Sequence, residues 1–164
     1  MNGDPETRER TFRRMASTDR PDAFALLSSF LREDEHYLAS SAAYGDGGPA
    51  ALGAALALFD ERPDYGFVWM AFEDTRPVGC CTLSYAISTS VGRVVAKLDD
   101  VVVEPRSRGR GVGGEMLETL FAHLREVGIA RIDLAVHQNN AGARRFYRRL
   151  GFTPLDEERL ALLL

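Results

Sequence analysis

The 164-residue chain predicts one α/β (or α+β) domain, a mixed sheet with helices on its faces. Two patterns carry this. Up to about residue 103 short apolar runs are joined by turn residues, as in hairpins, and beyond it helical and extended spacings alternate. A third observation concerns the number of units. No repeat, low-complexity tract or change of composition marks a boundary between 1 and 164, and this length buries one real core.

The elements follow in order. Residues 1–9 are polar and charged and are expected to form a flexible tail. Phe12 to Ala16 suits a short strand. Asp19 or Asp22 can cap a helix that carries Phe24, Leu27, Phe30 and Leu31 on one face and ends near Glu33. Tyr44-Gly45-Asp46-Gly47-Gly48-Pro49 is a loop, and Pro49 fits the first turn of a helix through Phe59. Gly66 to Phe72 and Val78 to Ile87 read as two strands joined by Glu73-Asp74-Thr75-Arg76-Pro77. After a turn at Ser90 to Gly92, a third run spans Val94 to Val103. From Gly111 to Val127 the apolar residues 112, 116, 117, 120, 121, 124 and 127 share one helical face, and Gly128 stops it. Ile129 to Val136 reads as a strand and Asn140 to Leu150 as a helix. Gly151-Phe152 opens a last extended segment, and Leu160 to Leu164 are expected to close the sheet.

Composition excludes several classes. With 45% hydrophobic and 27% charged residues the chain is an ordinary globular one. The net charge of −4 argues against a duplex-DNA binder. The polar start from Met1 to Arg10 excludes a secretory signal, and no window approaches 18 uninterrupted apolar residues, so no membrane span is expected. Cys80 and Cys81 are too few and too close for a disulfide framework or a zinc site, and read as reduced thiols of a cytoplasmic protein. His36, His123 and His137 are scattered without metal-ligand spacing, so no metal is expected. His123 falls on the polar side of its helix, and His137 ends a strand. Nineteen of the 20 basic residues are arginine, Lys97 being the exception, which codon bias explains.

The segment with most chemical content runs from Val101 to Gly114: Val101-Val102-Val103-Glu104-Pro105-Arg106-Ser107-Arg108-Gly109-Arg110-Gly111-Val112-Gly113-Gly114. A strand enters a glycine-rich turn that opens a helix. Glycine lets a ligand approach the backbone, and a helix N-terminus offers free N–H groups, so the segment suits an anion, ideally phosphate. Gly109, Gly111 and Gly114 satisfy a G-x-G-x-x-G dinucleotide pattern, with Asp133 19 residues on. The context disagrees, because the turn is too long and only about 50 residues follow. No G-x-x-x-x-G-K-[ST] is present, which excludes a P-loop.

The same residues, as Arg108-Gly109-Arg110-Gly111-Val112-Gly113, resemble the R-x-x-G-x-G loop of the GNAT superfamily of N-acetyltransferases. A second segment, Asn140-Ala141-Gly142-Ala143-Arg144-Arg145-Phe146-Tyr147-Arg148-Arg149-Leu150-Gly151-Phe152, is similar to that family's N-x-x-A-x-x-x-Y-x-x-x-G-F element. The resemblance is close over 93–153 and one of pattern elsewhere. It implies a mixed, mostly antiparallel sheet of six to seven strands flanked by about four helices, with a splayed strand pair forming the acyl-CoA cleft. It implies acetyl-CoA as co-substrate, held by the backbone of Val101, Val102 and Val103, by Arg108, Gly109, Arg110, Gly111, Val112, Gly113 and Gly114, and by Asn140 and Ala143. It makes Tyr147 the general acid for the departing thiolate, where periodicity alone makes it an amphipathic core residue.

Lys97-Leu98-Asp99-Asp100-Val101 is similar to the acidic pair of the spermidine/spermine and thialysine acetyltransferase branch. That likeness implies that Asp99 acts in proton removal and that Asp99 or Asp100 binds a small cationic amine. Strand alternation points the two to opposite faces, so without a bulge only one looks into a cleft. The plain alternative is one solvated aspartate and one sheet-end contact. Glu33-Asp34-Glu35 offers an acidic rim. The expected activity is direct acetyl transfer to a primary amine in a ternary complex. A non-catalytic acyl-CoA-binding regulator and an acetyltransferase for protein lysines or N-termini are the alternatives. Neither nucleic acid nor membrane is expected as partner, and the resemblance suggests a homodimer. The charge is divided to match: nine basic and five acidic residues lie between Glu104 and Arg149, and eleven basic and nineteen acidic in the remainder.

Overall fold

Five strands lie side by side in chain order: β1 (Arg10–Arg14), β2 (Gly66–Glu73), β3 (Arg76–Ser88), β4 (Arg93–Val103) and β5 (Ile132–Leu134). The first four are antiparallel neighbours, and β5 runs parallel to β4. This is a computed structural model that describes residues 8–164. The helices are α1 (Arg20–Glu33), the single turn α2 (Glu35–Leu38), α3 (Gly48–Glu61), α4 (Val112–Glu126) and α5 (Ala141–Arg149).

Every residue of β2 is buried, because both faces of the sheet are covered. Phe67, Trp69 and Ala71 pack with Met116, Leu117, Leu120 and Leu124 of α4. Val68, Met70 and Phe72 pack with Ala23 and Leu27 of α1 and Leu56 of α3. The 3.6-residue stripe read from Gly111 to Val127 thus covers one face, and the α1–α3 pair covers the other.

The fold class is as expected, with corrections in detail. Among the described residues the sheet has five strands, not six or seven. The segment after Leu150 adds none: no strand forms between 152 and 164, and Leu160 and Leu162 are more than four-fifths exposed. Pro154 lacks a donor, and β5 offers an edge of only three paired residues, so the terminal leucines have little to close on. The strand expected over 129–136 is cut to these three. The first strand begins two residues earlier than Phe12, and one more short helix, α2, is present than the four foreseen. Of the tail expected over 1–9, residues 1–7 lie outside the described residues, and Glu9 bonds to the β2–β3 turn, its N–H to Asp74 Oδ1 at 3.2 Å. His123 is half-buried, not on a solvent face. Its ring stacks on Trp69 at 5.2 Å and its Nε2 meets the Arg14 guanidinium at 3.1 Å, because the aromatic rings of β2 reach past the apolar stripe of α4.

Candidate active site

The sheet opens between β4 and β5. The two pair only at Ala96↔Ile132, Lys97↔Asp133 and Leu98↔Leu134, so the far half of β4 has no strand on that side. Against β3 the register steps from Thr82↔Asp99 to Cys80↔Val102, leaving Asp100 and Val101 to share the place opposite Cys81. This is a β-bulge, and Asp100 sits in it at φ +51°. The bulge shifts the alternation by one. Ala96 and Leu98 face α4 before it, and Val101 and Val103 pack against the same core after it. The exception allowed for a bulge, under which alternation does not force one aspartate to look away, thus applies at this place. Thr82, the register partner of Asp99, donates its hydroxyl to Asp100 Oδ2 at 3.1 Å.

The gap continues into a cleft of about 520 Å³ between the glycine loop, α4 and α5. Gly109 and Gly111 take φ of +71° and +82°, conformations an L side chain resists, and the turn they make delivers the chain to α4. Gly111 is the N-cap, and no side chain caps the helix, so its first N–H groups are left for a ligand. A Cβ on Gly113 would stand 3.4 Å from Val103 Cγ2 and 3.5 Å from Phe146 Cζ, so its absence lets α4 close on β4 and α5. These are the features a pyrophosphate-bearing ligand requires, and the residues present fit one.

The residues expected to hold it divide. Val101, Val103, Arg108, Gly109, Gly111, Val112, Gly113, Gly114 and Ala143 line the cleft. Arg108 does so with its Nε donating to the Val103 carbonyl at 2.9 Å. Val102 points to the α1 side and is buried there. Arg110 turns away, its Nη1 3.3 Å from Glu73 Oε2. Asn140 is spent as the N-cap of α5, accepting from the Ala143 N–H at 3.0 Å. Ser107, Gly142, Phe146 and Arg149 also line the cleft and carry no signal of their own in the sequence.

Tyr147 lines the same cleft, with its ring packed on Phe146 and Phe152 at 5.2 and 5.7 Å. Burial pushes its phenol well above the ordinary value, with Cys81, Asp99 and Asp100 adding to the effect. It is therefore a protonated donor at any working pH. Burial and the charge of Asp99 push the Asp100 carboxyl above its ordinary value, the Thr82 hydroxyl opposing them. Asp99 itself pairs with Lys97, Oδ2 to Nζ, at 2.8 Å.

The side of the bulge away from the glycine loop is built by elements distant in sequence. Asp34 caps α2 by accepting from the Tyr37 N–H at 2.7 Å, and Tyr37 stacks on Tyr44 at 6.0 Å. Burial raises the Tyr37 phenol, with Asp46 and Asp100 contributing. The Arg159 guanidinium stands 5.4 Å from the Tyr44 ring, so the C-terminal segment crosses this side. Of the acidic run expected as a rim, Asp34 is spent on the cap and the Glu35 side chain is 89% exposed. His36 and His137, far apart in sequence, meet ring to ring at 5.1 Å. Among the described residues no group of three His, Cys, Asp or Glu stands close enough to hold a metal, and no helix is long and apolar enough to cross a membrane. Cys80 and Cys81 are free and buried, and burial pushes both thiols up.

Comparison with known proteins agrees with this geometry. The sequence profile of the Acetyltransferase (GNAT) family matches residues 8–152. An uncharacterized N-acetyltransferase of Methanocaldococcus jannaschii is 35% identical over 94 residues, 56% of this chain and 41% of that one. A spermine/spermidine N(1)-acetyltransferase of Bacillus subtilis is 41% identical over 56 residues, 34% of this chain and 37% of that one. The chain thus spans about two fifths of the length of these curated relatives. Among solved structures, an integron cassette protein from the mobile metagenome of Cole Harbour Salt Marsh is similar at TM-score 0.75 and 25% identity, over 93% of this chain and 90% of that one. A predicted acetyltransferase from Clostridium acetobutylicum, solved with acetyl-CoA, is similar in fold at TM-score 0.71 and 18% identity, over 92% and 94%.

Proposed function

The chain belongs to the acetyltransferase (GNAT) family, and from that footing we propose that it is an acetyl-CoA-dependent N-acetyltransferase acting on a small cationic primary amine. The observation that carries this reading is the bulge in β4. It places Asp99 and Asp100 next to Val101, which lines the cleft together with Tyr147, a donor whose phenol feels the charge of both aspartates.

When bound, the co-substrate supplies an activated acyl carbon and a thiolate leaving group. The uncapped N-terminus of α4 and the glycine loop hold its phosphates, and the unpaired edge of β4 at Val101–Val103 lines its arm. Tyr147 Oη holds the proton that the thiolate takes as it leaves. Asp100, in place of the Asp99 expected from the sequence, attracts the ammonium group of the amine and accepts a proton from it, because Asp99 is paired with Lys97. Its raised pKa brings it closer to that task than an ordinary carboxylate. Asp99, paired with Lys97, keeps a second negative charge beside it. Direct transfer needs no cysteine, and the two buried thiols have no role in it.

We assign residues 1–164 to one catalytic unit, operating in the cytoplasm as a homodimer, and light scattering checks the dimer. The activity is tested by thiol release from acetyl-CoA across diamines, neutral amines, amino acids, aminoglycosides and peptides. Release with small cationic amines is expected. CoA binding without release for any of them overturns the catalytic reading, and release with peptides alone overturns the substrate class.

A further inference from the structure

We propose that Glu73, at the end of β2 and outside the cleft, is the positioning residue of the phosphate loop. This rests on the reading of that loop as the seat of the CoA phosphates. The Glu73 side chain is fully buried. Its Oε1 accepts from Arg10 Nε and Nη2, both at 3.3 Å, and its Oε2 from Arg76 Nη2 at 3.2 Å and Arg110 Nη1 at 3.3 Å, with Arg8 Nη1 at 3.7 Å. A buried carboxylate persists only when paired in this way.

Three of these arginines continue into the loop or its flanks. Arg76 bonds to Glu104 and to the hydroxyl of Ser107, which is fully buried where the loop begins. Arg110 belongs to the loop itself. Arg10 Nη1 reaches Glu115 Oε1, in the first turn of α4, at 2.6 Å. One carboxylate on a rigid strand therefore fixes the loop at its start, its middle and its exit. A loop with two left-handed glycines is costly to order, and an anchor behind it removes that cost before a ligand arrives. Without Glu73, Arg110 loses its carboxylate partner and Arg10 and Arg76 keep only Glu115 and Glu104, so the like-charged guanidiniums push the loop outward.

The sign of the effect separates positioning from simple charge. Removing a negative group near the cleft would, by Coulomb's law alone, strengthen binding of an anion. Calorimetric titration of CoA, and of pantetheine, which has the same arm without phosphates, compares the wild-type protein with Glu73→Gln and Arg110→Gln. Glu73→Gln is expected to weaken CoA on the order of tenfold, the loss of one charge-assisted contact, with pantetheine unchanged. Unchanged or tighter CoA binding overturns the proposal, and so does equal loss of both compounds. Arg110 is half exposed, so its variant keeps the question decidable where Glu73→Gln fails to fold. In the ligand-free Arg110→Gln protein the amides of residues 115–118 are expected to exchange several-fold faster, because the loop that starts α4 is loosened. Unchanged exchange there also overturns the role. Wild-type protein that binds neither compound removes the phosphate reading instead, and exchange alone then decides whether Glu73 positions the loop.

Discussion

The two sides of the cleft are built of different material. Toward the glycine loop the groups offered to a ligand belong to the backbone: the uncapped start of α4, two left-handed glycines and the unpaired edge of β4. On the side where we propose that the amine binds, the groups are side chains, and they come from separate elements: Asp99 and Asp100 from β4, Tyr37 from α2, Tyr44 from the loop after it, and Arg159 from the C-terminal segment. A backbone site recognises what all CoA thioesters share and changes little with sequence. A side-chain site can be rebuilt residue by residue, and on the proposed function it is the side that would select the amine.

Tyr147 belongs to neither side, and its removal is the strongest test of how they cooperate. Tyr147→Phe keeps the ring and its packing on Phe146 and Phe152 and removes only the donor. Thiol release should fall about 100- to 10,000-fold in kcat, the range for a lost general acid, with the KM of acetyl-CoA unchanged. A variant with full turnover would show that the phenol is packing and that the proton comes from elsewhere.

A substitution on the amine side sharpens the contrast. Asn tolerates the left-handed conformation that Asp100 holds at φ +51°, so Asp100→Asn tests charge without disturbing the bulge. It should lower kcat/KM for diamines about 10- to 100-fold, leave the acetyl-CoA KM alone and act weakly on neutral amines. The ionised carboxylate is the active form and its pKa is raised. Wild-type kcat/KM should therefore fall with acidification at a higher pH than an ordinary aspartate would set, and this limb should vanish in the variant. Stability moves the other way. A carboxyl with a raised folded pKa favours the fold below its unfolded pKa, and that contribution is lost as pH rises through the folded value. At neutral pH Asp100→Asn should thus melt higher than wild type, a trade of stability for activity that a scan of Tm against pH reads directly.

The same contrast explains what could be read from the sequence. Val101 to Gly114 is contiguous, and glycine spacing, strand entry and helix exit are local properties, so the loop and most of its lining were legible. The side chains of Arg110 and Asn140, expected at the ligand, bond instead to Glu73 and the Ala143 N–H, partners set by tertiary packing and by helix capping. Asp99 and Asp100 were recognised as a pair, but the bulge depends on the register with β3, which no local pattern encodes. The approach of Tyr44 and Arg159 is equally non-local, and the leucines that followed were read as a strand on apolarity alone.

The smallest expected effect tests whether the loop side depends on backbone shape more than on side-chain chemistry. Gly111→Ala adds one methyl, and the nearest atom it would meet is Glu115 Oε1 at 3.6 Å, an ordinary contact. Space is therefore not the issue. The cost lies in φ +82°, which for alanine is about 1–2 kcal/mol. A melting point lower by roughly 3–6 °C follows for a chain of this size, together with CoA affinity reduced about threefold as the first N–H groups of α4 shift. The KM for the amine should not move, because no amine-side group rests on Gly111. If amine KM rises with CoA Kd instead, the two sides are mechanically coupled through β4, and the division between backbone and side-chain recognition fails.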